Sequence, residues 1–491
     1  MNKEKIKSWM KEKHNSLFLL ILLFALGIRL LYLNANAAVW WDEASYLSTA
    51  KHWFFNVNYV PNPQNAVFFP LLLGIFLKIG LNELLVKFLI VVIPSAGIVA
   101  VTYLLGKEMY DESIGLIASF IMSVFWVSVF WTTRFQPDFL ALFFQILSIY
   151  YFWIWYKHKK NMNLYLAGLF LGLAFITRTQ SILLAGIYII FLLITENITK
   201  IIKNKHLWIT GIISFLTVLP YLIYNQINYK NVLAFSSGYN SQIVSNTPFG
   251  WHILNFLKTY TGFDAISWVY FILFIVGIVT LLDLILGFDQ IRKSDNIKIK
   301  ADLMNVIIML AVLAFFIFYI RVAEDRWIIL TAAPMFYFIG KGIYYILGFF
   351  KNMKISIKVF IILIILILGA YSQLTTADTF IQQKKDSYLQ VKQASIWLKE
   401  NTNTNDKIVS NSAPQMTYYT EREILDWGEN ETVFNEIWDK EKPKYYVISG
   451  FERHSDWVYA YPQNHQDILV PVKSYTIDGK QPILVIFEAK H

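Results

Sequence analysis

The sequence contains no cysteine, and only 16% of its 491 residues are charged. The missing cysteine excludes disulfide bonds, thiolate nucleophiles and thiolate metal sites. Soluble domains carry about 25% charged residues, so a soluble fold of this composition would expose much apolar surface to water. Disorder and a coiled coil are also excluded, because 56% of the residues are hydrophobic and they come in long blocks.

Sequence motifs for nucleotide and zinc chemistry are also missing. No P-loop, GxSxG or GxGxxG pattern stands out, and the eight histidines show no ligand spacing such as HExxH. Nucleotide-driven chemistry therefore has no visible site. The net charge of +9 indicates cytoplasmic loops of a membrane protein, and no nucleic-acid partner is expected.

Long apolar blocks are the dominant feature that is present. About eleven are long enough, or nearly so, to cross a bilayer. They cover residues 17–33, 84–105, 114–131, 139–155, 164–176, 182–194, 207–224, 266–288, 303–320, 327–347 and 357–371. Two short blocks flank Thr177-Arg178-Thr179, where tilted or broken helices are expected. The block 67–79 is shorter still and contains Pro70, so we interpret it as interfacial or re-entrant.

Basic residues between the blocks predict the orientation in the membrane. Lysines 3, 5, 7, 11 and 13 precede the first block and hold the N-terminus in the cytoplasm. With eleven spans, the loops that carry Lys107, Lys157–Lys160, Lys200–Lys205, Arg292–Lys300 and Lys351–Lys358 share that side. The C-terminus then lies outside. A cleaved signal peptide is the alternative, because Ala35-Asn36-Ala37 resembles a cleavage site.

This topology predicts a polytopic α-helical membrane protein with two domains. Residues 1–373 form the transmembrane domain, and its external loop 34–83 carries juxtamembrane helices. Residues 374–491 form a small extracytoplasmic α/β domain. Its predicted elements are a helix at 388–400 and strands at 407–410, 445–448, 468–472 and 483–487.

An acidic pair gives the sharpest local signal for chemistry. Asp42 and Glu43 stand between Trp41 and Tyr46, just outside the first span. One carboxylate could take a proton from an attacking hydroxyl while the other orients it or binds a cation. Acids at a helix start also interact favourably with the helix dipole, so a purely structural interpretation stays open.

Two further external segments combine acids with arginines. Arg134 and Asp138 lie in a short loop, where a capped helix start is the alternative interpretation. The second segment carries Arg321, Glu324, Asp325 and Arg326, which could bind an anionic group or simply snorkel to the interface. Arg178 lies between two short blocks, at a depth where ionisable residues are candidates for function.

In order, these segments resemble the polyprenyl-phosphate-sugar-dependent glycosyltransferases of the GT-C fold, above all the protein O-mannosyltransferases and the bacterial aminoarabinose transferases. The resemblance rests on a charged N-terminus and one span before an acidic pair. It also rests on these elements: Asp42-Glu43-Ala44-Ser45-Tyr46, Arg134 to Asp138, Gly168 to Arg178, Arg326 to Pro334, and Tyr418-Tyr419-Thr420-Glu421-Arg422.

The resemblance implies a donor sugar on a polyprenyl phosphate and an acceptor hydroxyl on a protein, a glycan or a lipid. It implies that Asp42 is the general base, and that Glu43 and Asp138 orient the acceptor or bind a cation. Arg326, Arg134 and Arg178 would stabilise the leaving phosphate, and the sugar would invert.

The expected enzyme is a hexosyl- or pentosyltransferase of the cell membrane with an extracytoplasmic active site. No cofactor is required, although a divalent cation stays an option. The alternative is a transporter or flippase for lipid-linked glycans, but no internal repeat supports it.

Overall fold

The computed structural model describes residues 12–237, 247–288, 291–292, 295–453 and 455–490. The basic residues Lys3, Lys5, Lys7, Lys11 and Lys293, which support the predicted orientation, lie outside them.

Contacts divide the chain into two compact units. The first, called the helical unit here, comprises residues 1–33, 66–68 and 87–381. The second, called the loop–sheet unit, comprises residues 34–65, 69–86 and 382–491. Most of the external loop is thus grouped with the C-terminal segment. The predicted boundary after residue 373 marks where the chain is expected to leave the membrane, whereas this division groups residues by their contacts. The predicted domain boundary therefore stays a prediction.

Eight helices in the described part of the chain are long and apolar enough to cross a membrane. They are Lys13–Leu31, Glu83–Met109, Asp138–His158, Lys205–Tyr229, Ser267–Leu286, Ile297–Ile320, Ile329–Phe349 and Ile355–Asn401. The last consists of two helices, Ile355–Lys384 and Leu389–Asn401, which a turn separates. Shorter apolar helices are Phe68–Lys78, Glu112–Val124, Asn161–Thr177 and Thr179–Thr195. The last three correspond to the three remaining predicted spans. The polytopic helical fold is confirmed, while the count of eleven and the orientation stay predictions.

Several helices of the helical unit are interrupted or change their hydrogen-bonding pattern. Phe125, with a ψ of 115°, separates Glu112–Val124 from Trp126–Trp131. Arg178 is extended and separates Asn161–Thr177 from the 3-10 turn Thr179–Ile182, which confirms the expected break. Phe315–Ile320 is a π-helical segment, a form that is often found at functional sites.

Small residues allow two helices of the helical unit to pack closely. A Cβ on Gly277 would lie 1.9 Å from the carbonyl oxygen of Phe338. A Cβ on Gly342 would lie 2.1 Å from the carbonyl oxygen of Leu273. Helices Ser267–Val279 and Ala332–Phe349 therefore approach to backbone contact, as expected where packing holds membrane helices together.

A buried arginine supports the interruption at Phe125. Arg29 is 1% exposed and donates to the hydroxyl groups of Ser95, at 2.6 Å, and Ser128, at 2.7 Å. It also donates to the backbone carbonyl of Ser123, at 3.0 Å. Carbonyl groups at the end of a helix lack an intrahelical partner, so Arg29 stabilises the end of Glu112–Val124.

The loop–sheet unit contains a five-stranded mixed sheet. Its strands are β1 Lys407–Ser410, β2 Glu423–Leu425, β3 Tyr445–Ser449, β4 Leu469–Thr476 and β5 Pro482–Ala489, in the order β2-β1-β3-β5-β4. β1 is parallel to β2 and β3, whereas β5 is antiparallel to β3 and β4. The α/β prediction is confirmed. The short β2 was missed, because three residues give no alternation to read.

Helices cover both faces of this sheet. They are Leu389–Asn401, Ala413–Thr420, Glu431–Glu441 and Asp456–Asn464. Ile408 and Tyr445 join Val391, Leu398 and Met416 in one buried cluster. Their strand neighbours Val409 and Tyr446 join a second cluster, with Phe434 and Trp438. The alternation of side chains along a strand thus places one core on each face.

Candidate active site

Asp138 is the centre of the charged cluster in the helical unit. It begins helix Asp138–His158 and is 2% exposed. Its Oδ1 lies 2.8 Å from Nη1 of Arg178, and its Oδ2 lies 3.8 Å from Nη1 of Arg326. Three charged residues from distant parts of the sequence therefore meet, as the proposed anion site requires.

Helix ends and aromatic rings position the two arginines. Arg178 lies at the helix break and donates from Nε to Oε1 of Gln180, at 2.7 Å. The guanidinium of Arg326 lies 4.3 Å from the ring centroid of Trp131, which allows cation–π attraction. Its Nε donates to Oε2 of Glu324, at 2.8 Å, and the Glu324 side chain is 46% exposed. Water therefore screens the charge of Glu324 more than that of Asp138.

Asp325 supports this cluster through hydrogen bonds to Trp131 and Arg326. The indole N–H of Trp131 donates to its carboxylate, at 3.0 Å, and so does the backbone N–H of Arg326, at 2.8 Å. The hydroxyl of Tyr260 donates to its backbone carbonyl, at 2.6 Å. Burial is the largest influence on this carboxyl and raises the pKa of Asp325 from 3.8 to about 6. Asp325 therefore holds Trp131 and Arg326 in place.

A small cavity of about 30 Å³ lies beside these groups. Asp138, Arg178, Arg326, Gln145 and Trp327 are among the residues that line it. The charged residues among its lining are two arginines and one aspartate, so the lining carries a net positive charge, whereas Glu324 and Asp325 contact Arg326 without lining the cavity. Such an arrangement can bind an anionic oxygen and stabilise further negative charge on it.

Arg134 lies in the loop that leads to Asp138. It is fully buried, with its guanidinium 5.9 Å from the Phe130 ring. Lys87 supports this loop, because its ammonium donates to the carbonyl of Thr133, at 3.0 Å. Of the predicted site residues, Asp138, Arg178, Arg326, Glu324 and Asp325 are thus joined by contacts, and Arg134 lies four positions before Asp138 in the sequence.

The acidic pair belongs to the loop–sheet unit, where its two members differ. Glu43 is 2% exposed, and its carboxylate accepts the backbone N–H of Trp40, at 2.9 Å. Asp42 is exposed on the first turn of helix Trp41–Phe55. Tyr46 is buried and packs edge-on against Phe69, with ring centroids 5.4 Å apart. Glu43 and Tyr46 are therefore buried, whereas Asp42 is exposed.

Trp131 and Gln145 are site residues that the sequence analysis missed. Gln145 is an amide in a largely apolar helix, seven positions after Asp138, and this spacing places both on one face. That signal could have been used. Trp131 gives no comparable signal, because this chain contains 16 tryptophans.

The described residues show no cluster of potential metal ligands. Among them, no three His, Asp or Glu side chains lie close enough to hold a metal ion. Asp138 faces guanidinium groups, which would repel a cation.

A family model and several solved structures resemble this chain. The model described as dolichyl-phosphate-mannose-protein mannosyltransferase matches residues 64–224. No curated protein sequence matches. ArnT from Cupriavidus metallidurans, solved with undecaprenyl phosphate, is 11% identical with a TM-score of 0.66, and the match covers 96% of this chain and 97% of that one.

Two other structures share the architecture. The oligosaccharyltransferase AglB from Archaeoglobus fulgidus, in complex with an inhibitory peptide and a dolichol-phosphate, is 15% identical with a TM-score of 0.62, over 90% of this chain and 70% of that one. The mycobacterial arabinofuranosyltransferase AftD is 10% identical with a TM-score of 0.55, over 95% of this chain and 41% of that one. The chain is therefore a multi-pass membrane protein with the GT-C fold that these glycosyltransferases share.

Proposed function

We propose that this protein transfers a sugar from a polyprenyl-phosphate donor to an acceptor hydroxyl. The observation that carries the proposal is the cavity at which Arg178 and Arg326 surround Asp138. Its charge suits the phosphate of such a donor. The GT-C fold and the polyprenyl phosphates bound in two similar structures support the same donor class.

The reaction breaks the bond between the anomeric carbon and the phosphate oxygen. The acceptor oxygen forms the new bond from the opposite face, so the sugar inverts, and the phosphate leaves with the bonding electrons and one more negative charge. Arg178 and Arg326 stabilise that charge. Asp138 acts on the reaction through the arginines, because its carboxylate fixes their orientation.

The proton of the acceptor hydroxyl goes to a carboxylate. Asp42 is our candidate for this general base, because it is the exposed member of the pair, whereas Glu43 caps its own helix. The acceptor is a hydroxyl of a protein, a glycan or a lipid, and the sugar is a hexose or a pentose. The site faces the extracytoplasmic side in this proposal.

Transfer from labelled polyprenyl-phosphate sugars in proteoliposomes tests the proposal. Asp42→Asn should abolish product formation in protein that still folds, as judged by its melting temperature. Arg326→Lys should lower transfer about 10–100-fold, because lysine cannot keep the geometry of a guanidinium. Arg292→Lys is the matched control, since Arg292 is exposed. A flippase would give no product with any variant, and undiminished transfer by Asp42→Asn would refute this base.

A further inference from the structure

Two adjacent tyrosines bond to both ends of the external loop. Within the loop–sheet unit, the hydroxyl of Tyr419 accepts the backbone N–H of Val39, at 3.0 Å. The hydroxyl of Tyr418 donates to the carboxylate of Glu83. Val39 lies just before the helix that carries Asp42, and Glu83 lies at the end of the loop. One dipeptide of the C-terminal segment therefore holds the start and the end of this loop.

Helix Ala413–Thr420, which contains both tyrosines, and its C-cap Glu421 also contact the body of helix Trp41–Phe55. The hydroxyl of Ser48 donates to the carbonyl of Pro414, at 3.0 Å. The ammonium of Lys51 donates to the carbonyl of Tyr418, at 3.0 Å, and to the carboxylate of Glu421, at 2.7 Å. Residues 43–50 are all buried. The helix that carries Asp42 is thus fixed along its length.

The chain just before this helix is held as well. The backbone N–H of Ala37 donates to the carbonyl of Lys385, at 2.8 Å, and Lys392 donates to the carbonyl of Ala37, at 2.8 Å. Ala37 and Val39 therefore both bond to the C-terminal segment. The entry into helix Trp41–Phe55 is set by these bonds, and Asp42 is on its first turn.

Both tyrosine hydroxyl groups stay in the protonated form in which they make these hydrogen bonds. Tyr418 is 3% exposed, and burial raises the pKa of both phenols. Both hydroxyl groups therefore stay protonated at neutral pH. A ring fixed by packing also presents its hydroxyl with little loss of conformational entropy on bonding.

We propose that Tyr418 and Tyr419 are positioning residues for sugar transfer, which fix the helix start at Asp42 to the sheet of the loop–sheet unit. The inference rests on the proposed function and adds a role for the C-terminal domain. Tyr419 has the larger effect, because its loss leaves a backbone donor near Asp42 without its acceptor. Glu83 is exposed, so water can replace the bond from Tyr418.

Hydrogen exchange and transfer kinetics of full-length protein in proteoliposomes test this inference. Tyr419→Phe keeps the ring and removes the hydroxyl. It should speed amide exchange in residues 39–46 and lower kcat about fivefold, with the donor KM unchanged. Tyr446→Phe is the matched control, because the buried hydroxyl of Tyr446 donates to the carbonyl of Val458 within the same sheet domain.

Each outcome decides one of the two proposals. Faster exchange together with a lower kcat in Tyr419→Phe, absent from Tyr446→Phe, supports the positioning role. Equal behaviour of the two variants, or a lower kcat without faster exchange, overturns it. If wild-type protein transfers no sugar from any polyprenyl-phosphate donor, the proposed function fails. Unchanged amide exchange in residues 39–46 of Tyr419→Phe would separately refute the positioning role.

Discussion

At the scale of single residues, the cluster around Asp138 shows how charges are kept inside an apolar bundle. Arg178 and Arg326 both face one carboxylate, and Trp131 covers Arg326. A buried charge without a partner is very costly, so each member depends on the others. The cavity beside the two guanidinium groups can accept a phosphate oxygen as a further anionic group.

Asp138→Asn should therefore destabilise the protein. Removing one partner of a buried ion pair costs about 3 kcal/mol, because the guanidinium groups lose their counter-charge. Thermal unfolding in detergent measures the loss, and added polyprenyl phosphate should restore part of it by supplying negative charge. Asp478→Asn, at an exposed turn, is the control. An unchanged melting temperature in Asp138→Asn would contradict the central role of this carboxylate.

Asp325 should make stability depend on pH. Burial raises its pKa from 3.8 to about 6, so the folded protein binds this proton more tightly than the unfolded chain. Stability from this group is full below pH 4 and is lost as the pH rises through 6, with a total change of about 3 kcal/mol.

The variant Asp325→Asn should remove this dependence, because the amide oxygen can still accept both N–H groups but carries no charge. Melting temperatures at pH 4.5 and 7.5 check it: the stability of the variant relative to wild type should be clearly greater at the higher pH. An equal difference at both values would mean that this carboxyl does not titrate in the interval.

At the scale of secondary-structure elements, helix interruptions place the site residues. Arg178 can lie beside Asp138 only because Asn161–Thr177 ends there and the chain extends for one residue. Trp131 is at the end of the short helix that follows Phe125. Such interruptions leave backbone groups without helical partners, and other side chains must satisfy them.

Arg29 is the side chain that does so at Phe125. Arg29→Leu should lower stability by about 3 kcal/mol, because the Ser123 carbonyl and two hydroxyl groups would lose their donor in a buried place. Arg292→Leu is the comparison, since exposed Arg292 also donates to backbone carbonyl groups that water can satisfy. Chemical denaturation in mixed micelles measures both, and similar losses would contradict this account.

Close helix packing gives a second prediction at this scale. Gly277→Ala should destabilise the protein by about 1–3 kcal/mol, because its Cβ would overlap the Phe338 carbonyl and push two helices apart. Gly348→Ala lies on the same partner helix, Ala332–Phe349, with no atom within 4 Å of the added Cβ. That control should be neutral or stabilising in the same unfolding assay. A neutral Gly277→Ala would show that the helices can separate at little cost.

At the scale of the whole molecule, the absence of native cysteine makes the predicted orientation simple to test. Lys160→Cys and Lys480→Cys place single thiols at exposed positions, one in a predicted cytoplasmic loop and one in the C-terminal domain. In right-side-out vesicles, a membrane-impermeant maleimide should label only position 480. Labelling of position 160 before lysis would reverse the predicted topology.

The sequence by itself determined the polytopic helical class of this protein, the places of its apolar helices and the α/β character of its last segment. Long apolar blocks and alternating strands are local patterns, so local physics is enough to read them. The break at Arg178 was also visible, because the two apolar blocks that flank this charged residue are each short for an untilted span.

Only the tertiary structure decided which charges meet. It paired Asp138 with Arg178 and Arg326, gave Glu43 a capping role and brought Trp131 and Gln145 to the cluster. It also placed the external loop with the C-terminal sheet through Tyr418 and Tyr419. Contacts between residues hundreds of positions apart depend on how helices and strands pack. A pattern along the chain carries no information on that packing.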